Sequence, residues 1–334
     1  MSPPSSPTAP RRSGRRPLFT SPPPSLALEI ARDRVSGVTM DEAGGTVLSY
    51  SVEPLASGVV EPALNTPNVL DQAALSGTIT TVLDRLAGRP RRLALVLPDT
   101  VAKVSLVRFE KVPAKASDLD QLIRWQVRKA APFKIEDAQL SWVPALPAAS
   151  GGREFVVTLA RRDIIEKYEA ACDAAGLHAG LVDIATFSLV NAALAASPID
   201  GDWLLVHVSA DYVTLAVVRG EDLVFFRNRS ASEGDLADLV HQTAMYHEDR
   251  LGGGGFSRVT LTGASVYGTD HAERARRSLE ERLGVRVEPL DFLPAAGLRD
   301  RIAVNPALLD ALAPAVGVLL RERTGVRPRA TAVA

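Results

Sequence analysis

From Leu26 onward, apolar runs of five to seven residues alternate with polar turns, and two stretches repeat one pattern. Leu26 to Met40 reads as strand, short polar turn, strand, with a third strand at Thr46 to Val52. Trp203 to Arg229 does the same: Trp203 to Val208, a turn at Ser209 to Asp211, Tyr212 to Val218, a polar turn at Arg219 to Asp222, then Leu223 to Phe226. β-branched and aromatic residues dominate these runs, as in half-buried strands. Two copies of one unit predict two related halves with a site between them.

Behind the first copy, Leu75, Ile79, Val82, Leu83 and Leu86 share one helical face within Leu70 to Ala87, and Gly88 and Pro90 end that helix. Leu93 to Leu97 is apolar throughout, as expected of a strand covered on both faces, and Val101 to Phe109 returns as another strand. From Ser117, where Ser117 and Asp120 suggest a helix cap, Leu119, Leu122, Ile123, Val127 and Ala130 form a stripe opposite Arg124, Arg128 and Lys129. Strands at Ala138 to Val143 and Glu154 to Ala160 and a helix from Asp163 to Ala175, closed by Gly176, complete a helix, strand, strand, helix unit. A strand to Asp183 and a helix from Thr186 to Ala196 lead into the second copy. After it come a helix from about Gly234 to Arg250, a strand at Arg258 to Leu261, a helix from His271 to Leu283, a strand at Val285 to Glu288 and a last helix from Pro306 to Arg321. Strands and helices in this alternation predict an α/β protein.

Composition narrows the partners. In 334 residues, 38 Lys and Arg balance 39 Asp and Glu, so no general charge favours nucleic acid. The single cysteine, Cys172, excludes an internal disulfide and a cysteine zinc site, and its apolar helical setting predicts a small buried residue. No run approaches the ~18 apolar residues that span a bilayer, and the Arg-rich start leads into Pro and Ser, not into a signal-peptide core. A cytoplasmic protein is the expectation. Residues 1–25 hold eight of the 23 prolines with Arg11, Arg12, Arg15 and Arg16, and read as a disordered arm able to touch an anionic surface. His241 and His247, six apart, fall on opposite sides of their helix and read as surface histidines, not a metal pair; His207 reads as a satisfied core histidine. Gly252 to Gly255 lacks the Lys and Ser/Thr of a P-loop and reads as a linker.

The stretches RWQVRKAAPFKIEDAQLSWVPA and VTLARRDIIEKYEAACDAAGLHAGLVDIATFSLVNAAL, followed by the strands of 203–229, resemble the PilM family of type IV pilus assembly over roughly residues 26–322. The resemblance implies a duplicated, RNase H-like actin-type ATPase fold: a first half at 26–110 plus 181–200, an inserted subdomain at 111–180, a shortened second half at 201–322, and a tail at 323–334. It also implies a partner, the cytoplasmic N-terminal peptide of membrane-anchored PilN, bound beside the inserted subdomain. The protein would then sit in the cytoplasm at the inner membrane, linking it to the pilus motor side. Arg124, Trp125, Phe133, Asp183, Phe187 and Asn191 are the groove candidates that the resemblance supplies.

The family binds ATP and Mg²⁺ at Asp-Ile-Gly hairpins, and this chain departs from that pattern. Glu29, Ile30, Ala31 and Arg32 occupy the first tip, and Ser36 replaces a usual lysine. His207, Val208 and Ser209 stand at the second tip without its carboxylate, and the adenosine turn is reduced to Gly263 and Ala264 after Thr262. Phosphate cradling needs backbone N–H groups at close approach, which side chains obstruct. The expectation is a scaffold with a degenerate cleft, no catalysis and no cofactor. The alternatives are an ATP-dependent kinase or ATPase of the actin and hexokinase fold, or the cytoplasmic component of a type II secretion platform.

Overall fold

The computed structural model describes residues 23–41, 43–88, 90–147, 152–299 and 304–321. The arm to residue 22 and the tail beyond Arg321 lie outside them. The first half opens with an antiparallel meander, β1 (Leu26–Ile30), β2 (Arg34–Met40) and β3 (Thr46–Pro54). Helix α1 (Gln72–Arg85) follows, capped by the Asp71 carboxylate on the Ala74 N–H and burying Leu75, Ile79 and Val82. Strand β4 (Arg92–Leu97) lies parallel to β1. The chain then leaves to build β5 (Ala102–Phe109), α2 (Ala116–Arg128), β6 (Ala138–Pro147) and β7 (Arg153–Arg161). It returns through α3 (Arg162–Ala174), β8 (His178–Ile184) beside β4, and α4 (Ala185–Ala196).

The second half repeats the plan: β9 (Asp202–Val208), β10 (Tyr212–Arg219), β11 (Asp222–Ser230), α5 (Leu236–Leu251), β12 (Arg258–Thr262), α6 (Thr269–Leu283) and β13 (Val287–Pro289). The short β14 (Gly297–Leu298) and α7 (Pro306–Leu320) close the chain. The sheet orders are β14-β3-β2-β1-β4-β8 and β11-β10-β9-β12-β13. In both, a meander is followed by two parallel strands added on the side of its first strand, so the actin-like duplication is present in the topology itself.

Alternation explains how the sheets are covered. Leu26, Leu28 and Ile30 of β1 and Leu93, Leu95 and Leu97 of β4 point to α1 and α3, whereas Ala27, Ala94 and Val96 join a core between the sheets. That central core also holds Trp203 and Leu205 of β9, Leu189 and Ala192 of α4, and Leu312 and Val316 of α7, so these two helices join the halves. On the far side of the second sheet, Leu204 and Val206 pack on α5 and α6 through Val240 and Leu279.

Several boundaries differ from the sequence reading. The inserted unit begins earlier than 111, because β5 is an outer strand of the three-stranded sheet β5-β7-β6. It also ends earlier than 180: Ile164, Tyr168 and Cys172 of α3 pack in the first-half core with Leu75 and Ile79 of α1. Burial pushes the Cys172 thiol up to about 12. Conversely, β14 pairs with β3 of the first half, and α7 packs on the first sheet although it lies within 201–322. Lys115, just before α2, gives the helix no side-chain cap; Asp120 instead accepts from Arg124 and the Trp142 indole.

Candidate functional site: a filled cleft and an open groove

The β1–β2 and β9–β10 turns face each other where the halves meet. Arg34, at the start of β2, is buried and donates to both carboxylate oxygens of Glu29 at 3.3 Å. Burial pushes the Glu29 carboxyl up, against the lowering pull of Arg34. The Arg34 guanidinium, which burial alone would lower, is raised on balance by Glu29 and by Tyr267 of the second half. Tyr267 also lies against Ser209, and burial lifts its hydroxyl to about 12. Arg32 pairs with Glu61 at 2.7 Å, and that bond, with Asp211 across the cleft, raises its guanidinium. Ala31 is buried, and Ser36 has a fully buried hydroxyl without a partner. The first tip is thus occupied by its own charged side chains.

Beneath it lies a carboxylate that the sequence reading missed. Asp99, in a 3₁₀ turn directly after β4, is completely buried. Its Oδ1 accepts the Thr186 N–H at 2.9 Å, and its Oδ2 accepts the hydroxyls of Thr186 and of Thr214, the latter at 2.7 Å. The His207 Nδ1 lies 3.3 Å away, and the Asp99 N–H donates to the Tyr212 hydroxyl at 3.2 Å. Asp99 and Thr186 belong to the first half, and His207, Tyr212 and Thr214 to the second, so one carboxyl group ties both. Only the sequence Pro98-Asp99-Thr100 at the end of an apolar strand could have marked it.

Gly263 keeps its place for a steric reason. Its φ of +83° and a Cβ that would lie 2.1 Å from the Val208 carbonyl leave room for glycine alone. Ala264 is buried in the second-half core, while Asp310 of α7 accepts the Thr262 hydroxyl at 3.0 Å and the Ser265 N–H at 2.9 Å. The residues present do not fit Mg-ATP. The Glu29 carboxylate is held by Arg34, Asp99 is enclosed by four donors, and the N–H of Ser265 after the glycine turn is already spent on Asp310. Among the described residues, no group of three or more His, Cys, Asp or Glu could hold a metal ion.

The six groove candidates separate. Phe133 packs on the core of the inserted sheet, and Arg124 pairs with Asp120 at 2.7 Å on α2. Trp125 projects outward from the same helix. Asp183 turns inward instead: its carboxylate accepts the Ile184 N–H and faces Arg321 at 3.4 Å, and burial raises it. Phe187 meets Phe226 edge-on at 5.9 Å in a cluster with Val104 and Ile184, and Asn191 is half-buried on α4. Phe187 leads to a groove that the sequence reading did not outline. An open cavity of about 470 Å³ is lined by Pro62, Ala63 and Leu64, by Ala102, Lys103 and Val104 of β5, and by Phe226 and Asn228 of β11. Both strands are sheet edges, β5 pairing with β7 and β11 with β10.

The histidine and glycine readings at 247–255 also change. His247 is fully buried, bonded through Nε2 to Asp202 and stacked on Phe256 at 4.6 Å. Arg219 also binds Asp202 and, with His247, holds that carboxyl below its usual range. Gly252 closes α5 with φ +66°, and a Cβ on Gly253 would lie 1.9 Å from the imidazole. These glycines seat a buried histidine and are no mere linker.

No helix among the described residues is long and apolar enough to cross a membrane. The fold matches the PilM-PilN type IV pilus biogenesis complex with a TM-score of 0.74 and 19% identity, over 90% of this chain and 98% of that one. The cytoplasmic domain of EpsL, an inner membrane component of the Vibrio cholerae type II secretion system, is more distant, with a TM-score of 0.44 and 12% identity over 71% and 80% of the two chains. The ethanolamine utilization protein EutJ from Carboxydothermus hydrogenoformans has a TM-score of 0.48 and 12% identity, over 90% of each chain. Residues 28–249 match the family described as type IV pilus assembly protein PilM. Together with the duplicated fold, that match over most of the chain shows that the protein belongs to the PilM family.

Proposed function

We propose that this chain is a non-catalytic scaffold of type IV pilus assembly that captures the N-terminal peptide of a PilN-like, membrane-anchored partner in the groove between β5 and β11. The observation that carries the reading is the groove itself: apolar walls at Leu64, Val104 and Phe226 lie between two strands, each paired on one side. An extended peptide gains main-chain hydrogen bonds by completing such an edge and specificity from side-chain pockets. The resemblance to a PilM-PilN complex supports the choice of partner. Bound in this way, the protein would work at the cytoplasmic face of the inner membrane and need no span of its own. The filled cleft supports a loss of ATP binding and hydrolysis, since Arg34 and Glu29 satisfy each other where phosphate and metal would compete for them.

Calorimetry with a synthetic peptide from the start of the neighbouring membrane protein tests the reading. A Kd of micromolar or better is expected, and no binding to any such peptide would end it.

A further inference from the structure

Helix α2 carries a feature that the partner reading leaves unused. Of the three tryptophans, Trp203 is fully buried and Trp142 donates to Asp120 while packing edge-on against Phe155 at 5.5 Å. Trp125 is 64% exposed and makes no hydrogen bond or ring contact among the described residues. Arg128 and Lys129, three and four positions on, share its side of the helix. Lys103 of β5 reaches the same helix end by donating to the Ala130 carbonyl, and Lys134 follows in the next turn. None of these four cations has a carboxylate partner among the described residues, whereas Arg124 is neutralised by Asp120. Asp118, two turns before Trp125, and Glu136 and Asp137, after Lys134, bound the basic region.

We propose that this end of α2 is a docking surface for an anionic phospholipid bilayer, with Trp125 entering the headgroup layer and Lys103, Arg128, Lys129 and Lys134 meeting lipid phosphates. An indole flanked by lysine and arginine is the side-chain set favoured at the membrane–water interface. Shape favours lipid over an acidic peptide. Trp125 stands out from a helix face and lines neither described cavity, and a projecting ring can sink into a fluid surface, whereas peptide affinity rests on enclosed pockets. Lys103 also borders the groove at β5 and β11, but Trp125, Arg128, Lys129 and Lys134 lie outside it, so the surface stands even if the partner reading falls.

The test is flotation of the full chain with vesicles of phosphatidylcholine containing about a third phosphatidylglycerol, against pure phosphatidylcholine, with no partner protein present. Binding to the anionic vesicles alone is expected, weakening with salt as counterions screen the surface. Removing two cations with Arg128→Ala/Lys129→Ala should lower partitioning on the order of thirtyfold, about fivefold per charge. Tryptophan fluorescence locates the contact. Vesicles should shift emission to the blue and protect it from acrylamide, and Trp125→Phe should abolish both changes, since the other two indoles are sheltered. An Arg11→Ser/Arg12→Ser/Arg15→Ser/Arg16→Ser variant, in the full chain, removes any pull from the arm and should keep the Trp125 signal. Equal partitioning to both vesicle types, or anionic binding that leaves Trp125 fully quenchable, would overturn the proposal. So would unchanged binding of the Arg128→Ala/Lys129→Ala variant, or capture of an acidic peptide with vesicles untouched.

Discussion

The cleft between the hairpin turns and the groove beside the inserted sheet both lie at the meeting of the halves, yet their surfaces are opposite in kind. In the cleft, polar groups find partners inside the protein: Glu29 with Arg34, Asp99 with two threonines and a histidine, Asp310 with Thr262 and Ser265. In the groove, apolar side chains and two one-sided strands face outward with their capacity unspent. The charges of the cleft are largely held by one another, although the Ser36 hydroxyl and one Asp211 oxygen are buried there without a partner. The groove offers an outside molecule apolar area and open strand edges.

The strongest way to break this contrast is Asp99→Ala. It strips partners from Thr186, Thr214 and His207 at once, and urea denaturation should show a loss of about 3–5 kcal/mol, the cost typical of opening a buried charged network. A loss under about 1 kcal/mol would mean that Asp99 does not hold the halves together. Next comes Arg34→Ala, which leaves Glu29 buried and unpaired at a cost of about 3 kcal/mol near pH 8. Glu29 already lies above its ordinary value of 4.5, and losing Arg34 raises it further. The folded variant then keeps a proton that the unfolded chain releases above that value, so its stability falls as pH rises. The deficit should therefore be smaller at pH 5.5 than at pH 8, and an equal deficit would place Glu29 in contact with water.

A smaller effect sharpens the other side. Leu64→Asp should weaken peptide binding about tenfold, or about 1.4 kcal/mol, with an unchanged thermal transition, because it puts a charge on the groove wall. Unchanged affinity would move the peptide elsewhere. The smallest expected effect is none: titration with Mg-ATP to about 1 mM should give no saturable heat. Saturation would show that Arg34 can swing out and that the cleft still opens.

Much of the fold was legible because burial imposes periodicity. The run Leu93 to Leu97 must be covered on both faces, and in the structure its leucines meet α1 and α3 while Ala94 and Val96 meet the central core. The contacts of the cleft were less legible. Ala31 and His207 marked a departure from the family's hairpin pattern, but not that Arg34, an ordinary charge at a strand start, would fold back on Glu29. Asp99 and His247 were harder still. A single buried polar residue leaves no periodic trace, and whether its partners come within hydrogen-bond distance depends on segments 87 and 45 residues away.

By itself the sequence determined the local elements and the duplication, since hydrophobic spacing and turn residues act over a few positions. It also carried the family resemblance from which the actin-like class followed. Tertiary structure decided the ownership of α3, β5, β14 and α7, the pairing of charges inside the cleft and the position of the groove. Each of those depends on which distant surfaces meet, and a carboxylate becomes a hub, or a strand an open edge, only once its neighbours are in place.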